Sequence, residues 1–188
     1  MTYLQEHINH VRTKRQTYEF KPTQESMEEF YSLMIQCYGP SSQHLPTLRR
    51  LAMECESVGE LGTYNGVSTV ALMMGRPTRI DCVDLYPCKY IDQLLFMAGY
   101  LEIDIGLRQE DSRTADMGYV DMLFVDTEHT YEQVKAELAY HKDVVGRYIV
   151  LHDTVSHPEI IPAIEEELSE WTLKERYENC NGLWVMER

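Results

Sequence analysis

The chain has 188 residues, of which 44% are hydrophobic, and its formal net charge at pH 7 is −14. This length and apolar content predict one folded domain over 1–188 with a core of its own. No run approaches the roughly 18 consecutive apolar residues of a membrane helix, so no membrane partner is expected. The negative charge would repel a phosphate backbone, which argues against nucleic acid as a partner.

Residues 1–55 are predicted to form a helical cap. Apolar residues such as Met27, Phe30 and Met34 recur at three- and four-residue spacing, which is typical of an amphipathic helix. The segment "YGPSS" ends that helix, and "HLPTLRRLAMEC" begins another. The basic run "HVRTKR" at 10–15 is interpreted as a solvated helix face. The first residues are polar, without an apolar signal core, so a cytoplasmic protein is expected.

From residue 56 to 188 the pattern changes to short apolar strands that alternate with helices. Strands are predicted over 57–61, 79–84, 102–108, 121–125 and 148–151. Such alternation predicts parallel strands covered by helices on both faces. The tail "WTLKERYENCNGLWVMER" predicts two antiparallel strands around an Asn-Gly turn. The predicted fold is therefore a Rossmann-like α/β core with an antiparallel edge.

Two helix starts carry candidate capping boxes. Thr130 and Gln133 precede a helix whose apolar stripe includes Val134 and Leu138, and the S/T-x-x-E/Q spacing is typical of a capped N-terminus. Ser156 and Glu159 have the same spacing before a helix predicted over 158–170.

The stretch "VGELGTYNGVST" (58–69) places two glycines directly after the first strand, where open α/β sheets bind ligands. A dinucleotide loop needs glycine where Tyr64 stands, and a P-loop needs a lysine that is absent. Both phosphate interpretations fail, which leaves a nucleoside ligand without phosphate. Asp84 ends the second strand, 22 residues after Gly62, where a carboxylate can bind ribose hydroxyls. The alternative is a strand-end cap.

The sequence resembles class I S-adenosylmethionine (SAM)-dependent methyltransferases, and within them the small-molecule and sugar O-methyltransferases, including methyltransferase 24-like and macrocin- or cephalosporin-hydroxylase-type relatives. The matching stretches are "VGELGTYNGVSTVAL", "DCVDLYP", "RQEDSRT", "DMLFVDTEHTYEQVKAEL" and "YIVLHDT", and the resemblance covers about residues 40 to 188. It implies a seven-stranded sheet in the order 3-2-1-4-5-7-6.

The resemblance also implies a SAM site. The implied cofactor-binding residues are Glu60, Gly62, Thr63, Tyr64, Gly66, Ser68, Asp84, Asp111, Ser112 and Asp126. Among them, Asp84 matches the ribose acid, while Asp111 and Ser112 match the segment beside the adenine. Valine at Gly62 is expected to block the cofactor and leave the fold intact.

Methyl transfer to an alcohol needs alignment of donor and acceptor, together with a base or a metal. Asp126, Glu128 and His129 follow the fourth strand, and His152 and Asp153 follow the fifth. Two base candidates remain open. His129 is slightly favoured because a histidine with a pKa near 6.5 takes a proton at neutral pH, whereas Glu128 needs a raised pKa. The alternative for the group is a helix N-terminus with acids that complement the dipole.

Several relatives bind a divalent cation at this place. Asp126 and Asp153 match two of their three ligand positions, and His152 takes the third. This substitution disfavours Mg²⁺, a hard cation that prefers oxygen ligands. The two carboxylates are expected either to share one ion or, without metal, to hold a protonated histidine between them, with the pKa of His152 or His129 raised.

The sequence therefore predicts a SAM-dependent O-methyltransferase acting on a small-molecule acceptor, such as a sugar or a glycosylated metabolite. A SAM- or nucleoside-binding protein without activity is the second hypothesis, and an NAD-type oxidoreductase, disfavoured by Tyr64, is the third. The sequence leaves the oligomeric state open, a homo-oligomer included.

Overall fold

The computed structural model describes residues 23–36, 39 and 41–188. The basic run at 10–15 lies outside the described residues, as do residues 38 and 40 of the predicted break at 38–42. Within them, no helix combines the length and the apolarity that a membrane span needs.

Seven strands form one sheet in the order β3-β2-β1-β4-β5-β7-β6, which confirms the predicted fold. The strands are β1 (Ser57–Leu61), β2 (Arg79–Asp84), β3 (Asp104–Gln109), β4 (Val120–Val125), β5 (Val145–His152), β6 (Thr172–Tyr177) and β7 (Leu183–Glu187). β1 to β5 pair in parallel, and β7 pairs antiparallel with both β5 and β6.

Three predicted strand starts differ from the structure. The fourth strand differs by one residue, since β4 begins at Val120 rather than at 121. The third strand begins at Asp104 rather than at 102, because Glu102 caps the preceding helix with a left-handed φ of 59°. The fifth strand begins at Val145 rather than at 148, because Val145 pairs with Val120 of β4. A register shift separates this pair from the rest of the ladder. At the carboxyl ends, β1, β2 and β4 end where predicted, whereas β3 and β5 each extend one residue further, to Gln109 and His152.

Alternating side chains of the central strands enter two separate cores. Met122 and Phe124 of β4 belong to the core on one face, and Leu123 and Val125 to the core on the other. Tyr148 and Ile149 divide in the same way on β5. All are at most 3% exposed, as expected for a parallel sheet buried on both faces.

Helices cover both faces. They are α1 (Gln24–Gln36), α2 (Leu45–Ala52), α3 (Val67–Met74), α4 (Ile91–Leu101), α5 (Tyr131–His141) and α6 (Ile161–Glu167), with short 3₁₀ turns at Ser42–His44, Lys142–Val144 and Pro158–Ile160. Buried residues of the first four helices join the first core, and those of α5 and α6 join the second. The described part of the predicted cap is thus helical and packs on the sheet.

The two capping boxes have different outcomes. Thr130 caps α5 by accepting a hydrogen bond from the backbone N–H of Gln133. The Gln133 side chain does not complete the box, because its nitrogen donates to Ser112 and Glu137. The box at Ser156 and Glu159 is wrong, because the Ser156 hydroxyl donates to Asp153. The predicted helix over 158–170 is also shorter: a 3₁₀ turn leads into α6, which ends at Glu167.

The loops after β1 and β4 meet backbone to backbone. Asp126 N–H donates to the carbonyl of Leu61, and Gly62 N–H donates to the carbonyl of Val83, each at 2.9 Å. Gly62 has a φ of +91°, and a Cβ there would lie 2.6 Å from the carbonyl carbon of Asp126 and closer still to its oxygen. The expectation that valine at Gly62 spares the fold is therefore wrong: the collision is with the neighbouring strand end.

We expect Gly62→Ala to lower the free energy of unfolding by about 2–4 kcal/mol, because the left-handed φ and the backbone overlap must both be relieved. Urea denaturation measures the loss. Gly99→Ala is the matched control: nothing lies within 4 Å of a Cβ at Gly99, inside α4, so it should be neutral or stabilise by up to about 1 kcal/mol. Equal stabilities for the two variants would contradict the close approach.

Candidate functional site

A cavity of about 1110 Å³ lies at the edge of the sheet where the parallel strands end. Loops after β1 to β5 form its wall, and Met34 of α1, Ser42 and Asn181 complete it. The predicted site residues that line it are Gly62, Thr63, Tyr64, Ser68, Asp84, Asp111, Ser112, Asp126, Glu128, His129, His152 and Asp153. Glu60 and Gly66 are the two that do not.

Glu60 is fully buried beneath the loop that follows β1. Its two carboxylate oxygens accept hydrogen bonds from the hydroxyls of Ser68, at 2.5 Å, and Thr69, at 2.6 Å. Burial raises the pKa of Glu60 to about 7, against the effect of these hydroxyls. The side chain therefore ties the end of β1 to the first turn of α3.

Gly66 begins α3 with a φ of +74°. A Cβ there would lie 2.7 Å from a methyl group of Leu94, so glycine also permits the approach of α4. Glu60 and Gly66 both support the loop from behind.

Asp84 fixes two loops through its carboxylate. One oxygen accepts a hydrogen bond from Tyr64 N–H at 2.8 Å, and the other accepts from Tyr86 N–H at 2.9 Å. Tyr64 adopts a left-handed φ of 43°, and its side chain is 78% exposed. The carboxylate is thus held at the cavity wall, with lone pairs left for a ligand.

Asp111 and Ser112 differ in their surroundings. Asp111 pairs with Arg113 through two contacts of 2.6 and 2.9 Å, and these hydrogen bonds lower the pKa of Asp111 to about 2. Ser112 is buried, and its hydroxyl donates to Glu137 at 2.6 Å. The segment is therefore anchored inward by Ser112 and faces solvent at Asp111.

The side chains at the end of β5 and directly after β4 and β5 form one cluster of two carboxylates and two imidazoles. His129 Nε2 lies 2.7 Å from Asp153 Oδ2 and 3.3 Å from Asp126 Oδ1. His152 Nδ1 lies 3.0 Å from the same Asp153 oxygen and 3.3 Å from the same Asp126 oxygen. The cluster forms because Val125 and Leu151 are paired neighbours at the ends of β4 and β5.

This cluster needs a positive charge between its carboxylates. His152 Nε2 lies 3.0 Å from the carbonyl oxygen of Cys180, to which it can only donate. In a neutral His152 the lone pair of Nδ1 would then face both carboxylates, which is repulsive. Either a proton on Nδ1 or a bound cation removes that conflict.

When protons on the histidines supply this positive charge, the pKa values of the cluster shift strongly from their ordinary values. Burial alone would lower the pKa of His152 and of His129, but Asp126 and Asp153 outweigh it and raise these pKa values to about 10 and about 9. Burial would likewise raise the pKa of Asp153, but the two imidazoles hold it well below its usual range. The direction agrees with the expectation for a metal-free cluster, whereas the argument for His129 as a base with a pKa near 6.5 does not hold for this form.

The residues also fit a divalent cation. His152 Nδ1 and one oxygen each from Asp126 and Asp153 lie within 4.8 Å of one another, and His129 Nε2 is adjacent. Two nitrogen donors beside two oxygen donors suit zinc or iron better than magnesium, which prefers oxygen.

A third histidine, outside the cavity wall, packs against the cluster. His44 is buried, and its Nε2 donates to the carbonyls of Asn179 and Cys180 at 2.9 and 3.2 Å. Its ring packs edge-on against His152, with centroids 5.5 Å apart. The tip of the β6–β7 hairpin thus connects the segment before α2 with the cluster.

Several residues of the cavity wall are absent from the site residues predicted from the sequence, among them Thr127, Gln133, His157 and Asn181. His157 stacks on His129, with ring centroids 4.8 Å apart. Gln133 was assigned to a helix cap alone. Gln133, Glu137 and His141 follow each other at four-residue spacing. This spacing places polar side chains on one face of α5, and it could have indicated their contact.

Comparisons with known proteins find similarity to methyltransferases. A family model described as "Methyltransferase domain" matches residues 60–154, just over half of the chain. No curated protein sequence matches the chain.

Solved structures with the same fold include methyltransferases of different acceptor types. An O-methyltransferase from Bacillus cereus in complex with SAH is 13% identical with a TM-score of 0.63, over 94% of this chain and 96% of that one. The SAH-bound methyltransferase PaMTH1 of Podospora anserina is 13% identical with a TM-score of 0.55, over 99% and 97%. The N-methyltransferase NodS from Bradyrhizobium japonicum WM9 is 15% identical with a TM-score of 0.56, over 79% and 96%. At these identities the similarity shows the fold.

The raised pKa values predict how stability depends on pH in protein freed of metal with EDTA. A histidine whose pKa is about 9 when folded and about 6.5 when unfolded stabilises the fold fully below pH 6.5. That contribution declines between these values and is gone above about pH 9. The difference in unfolding free energy between the wild type and His129→Gln should therefore shrink as the pH rises from 6 to 9.5.

The same measurement distinguishes the two forms of the cluster. With Zn²⁺ present, a bound cation would replace the protons, and the stability difference should grow rather than shrink as the pH rises. A difference that is independent of pH in EDTA, with unchanged Zn²⁺ response, would show that His129 carries no shifted proton. His157→Gln is the control, because its ring stacks on His129 without contacting either carboxylate of the cluster.

Proposed function

The chain belongs to the methyltransferase-domain family and is a SAM-dependent methyltransferase, and we propose that it methylates a hydroxyl group of a small molecule such as a sugar or a glycosylated metabolite. One observation carries this proposal. The cluster of Asp126, His129, His152 and Asp153 stands in the cavity wall beside the loop that follows β1, where a base or a Lewis acid can act on an acceptor.

The cofactor is proposed to occupy the half of the cavity formed by the loops after β1, β2 and β3. Asp84 accepts the ribose hydroxyls, since its two oxygens are already oriented by Tyr64 and Tyr86 N–H groups. The backbone from Gly62 to Thr63 receives the methionyl end, and Ser112 stands beside the adenine. No phosphate group is required, in agreement with the absence of a lysine from this loop.

The acceptor is proposed to lie between SAM and the cluster. In the reaction the acceptor oxygen forms a bond to the methyl carbon, the carbon–sulfur bond breaks, and neutral SAH leaves. The hydroxyl proton goes to Nδ1 of a neutral His129, because Nε2 carries the hydrogen that it donates to Asp126 and Asp153. A raised pKa makes the neutral imidazole a stronger base, although a smaller fraction is unprotonated at neutral pH.

Glu128 is the second base candidate. Its exposed side chain lines the cavity, and its carboxylate accepts no hydrogen bond from the described residues. That freedom leaves it able to accept a proton, but nothing within the described chain orients it. His129 is oriented by two carboxylates, and this favours it as the base.

A divalent cation would be held by Asp126, Asp153 and His152, with His129 adjacent. When bound, such an ion polarises an acceptor oxygen and lowers the pKa of its hydroxyl.

The charge of the cavity wall supports a neutral or cationic acceptor. Carboxylates line it, whereas Arg113, the arginine of the described wall, is already paired with Asp111. The net charge of −14 also supports a small molecule over a nucleic acid.

We expect Asp84→Ala to weaken SAH binding by about 1.5–3 kcal/mol, the range for losing hydrogen bonds to a charged group, which is roughly a 10- to 150-fold rise in Kd. Isothermal titration calorimetry measures it. Asp104→Ala is the control, because Asp104 is exposed at the opposite end of the neighbouring strand β3.

Unaltered SAH affinity in a folded Asp84→Ala protein would remove Asp84 from the cofactor site. Turnover is tested separately, by following SAH release from SAM across a panel of neutral, cationic and phosphorylated polyols. Methylated products confined to N-acceptors would refute transfer to oxygen.

For the base, we expect His129→Ala to lower kcat about 10²- to 10⁴-fold, the usual range for general base catalysis, with little change in SAH affinity. Glu128→Gln is its counterpart and should retain most of the turnover. Steady-state kinetics with saturating SAM measures both variants. If Glu128→Gln abolishes turnover while His129→Ala keeps it, the two roles are reversed.

A further inference from the structure

Glu137 lies in the middle of α5 with no exposed surface, outside the cavity wall. Its Oε1 accepts hydrogen bonds from the Ser112 hydroxyl at 2.6 Å and the Gln133 amide at 2.8 Å. Its Oε2 accepts from the Thr127 hydroxyl at 2.9 Å. A buried carboxylate is costly unless it is hydrogen-bonded, and here three neutral donors provide those bonds.

All three donors line the cavity, and they come from different parts of its wall. Ser112 follows β3, Thr127 directly follows Asp126, and Gln133 stands in the first turn of α5. His141, one turn beyond Glu137, donates to the Ser112 carbonyl at 2.7 Å and holds the same segment from below.

A carboxylate can only accept, and this fixes the orientation of the Gln133 side chain. The Gln133 nitrogen must face Glu137, and it also reaches the Ser112 oxygen at 3.1 Å. The carbonyl oxygen of Gln133 is then the group left to accept, and among the described residues no donor engages it. The exocyclic amine of an adenine is a donor of complementary chemistry.

We propose that Glu137 is a positioning residue that sets the Gln133 amide so that its carbonyl oxygen accepts a hydrogen bond from the adenine amine of the cofactor. The same carboxylate holds Ser112 beside the base and Thr127 beside Asp126. The inference rests on the proposed cofactor site and adds to it the group that distinguishes adenine from other bases.

The test compares SAH with S-inosylhomocysteine, in which an oxygen replaces the adenine amine. Wild-type protein should bind SAH at least about tenfold more tightly, because the analogue presents an acceptor to the Gln133 oxygen. Glu137→Leu should lose that discrimination, whereas Glu137→Gln should keep part of it, since one amide oxygen still accepts. Gln133→Leu should lose it with Glu137 intact.

Glu132→Gln is the control on the same helix, at an exposed position, and should discriminate like the wild type. A role in stability alone would lower the melting temperature of Glu137→Leu and leave the SAH preference in place, which would overturn the proposal. So would a wild type that binds both ligands equally. If the wild type binds neither, the proposed cofactor site itself has failed. Should Glu137→Leu not fold, Gln133→Leu and Glu137→Gln decide the matter in the same way.

Discussion

The carboxylates of Asp126 and Asp153 face the same two imidazoles, and this arrangement is stable only with a positive charge between them. The sheet imposes the arrangement, because β4 and β5 are paired to their carboxyl ends and deliver one aspartate each. The carbonyl of Cys180 then directs the remaining lone pair of His152 toward both acids. Protons and a divalent cation are alternative ways of meeting one electrostatic requirement. In the first case His129 acts on a hydroxyl only in its neutral form, and in the second the cation would polarise the acceptor oxygen.

The cofactor half of the cavity is tied to this cluster through backbone as well as side chains. The loop after β1 rests on the loop after β4, with glycine at 62 because a side chain there would overlap the Asp126 carbonyl. Glu60 holds the same loop from beneath through Ser68 and Thr69. A shift of Asp126 would therefore move the loop proposed to bind the methionyl end, which is the coupling that in-line transfer requires.

The sheet order and the lining residues at the strand ends could be predicted from the sequence, since they follow from the apolar pattern and the resemblance. The inward turn of Glu60 could not be predicted, because it depends on where α3 begins in space. The raised pKa of His129 could be predicted in direction for a metal-free cluster, because the carboxylates of Asp126 and Asp153 follow neighbouring strands. The burial of Glu137 could not be predicted either, because a lone glutamate beside an apolar stripe is most often a solvated residue.

Two buried glutamates mark the two sides of the proposed cofactor site, and they are used differently. Glu60 receives two hydroxyls from one helix and stabilises a single loop. Glu137 receives donors from three segments, so its contacts cannot be satisfied unless the loops after β3 and β4 keep their positions relative to α5. Apolar residues would fill either site at lower desolvation cost. What they could not supply is the directional acceptor that fixes the orientation of an amide, and with it the choice of a donor on the bound base.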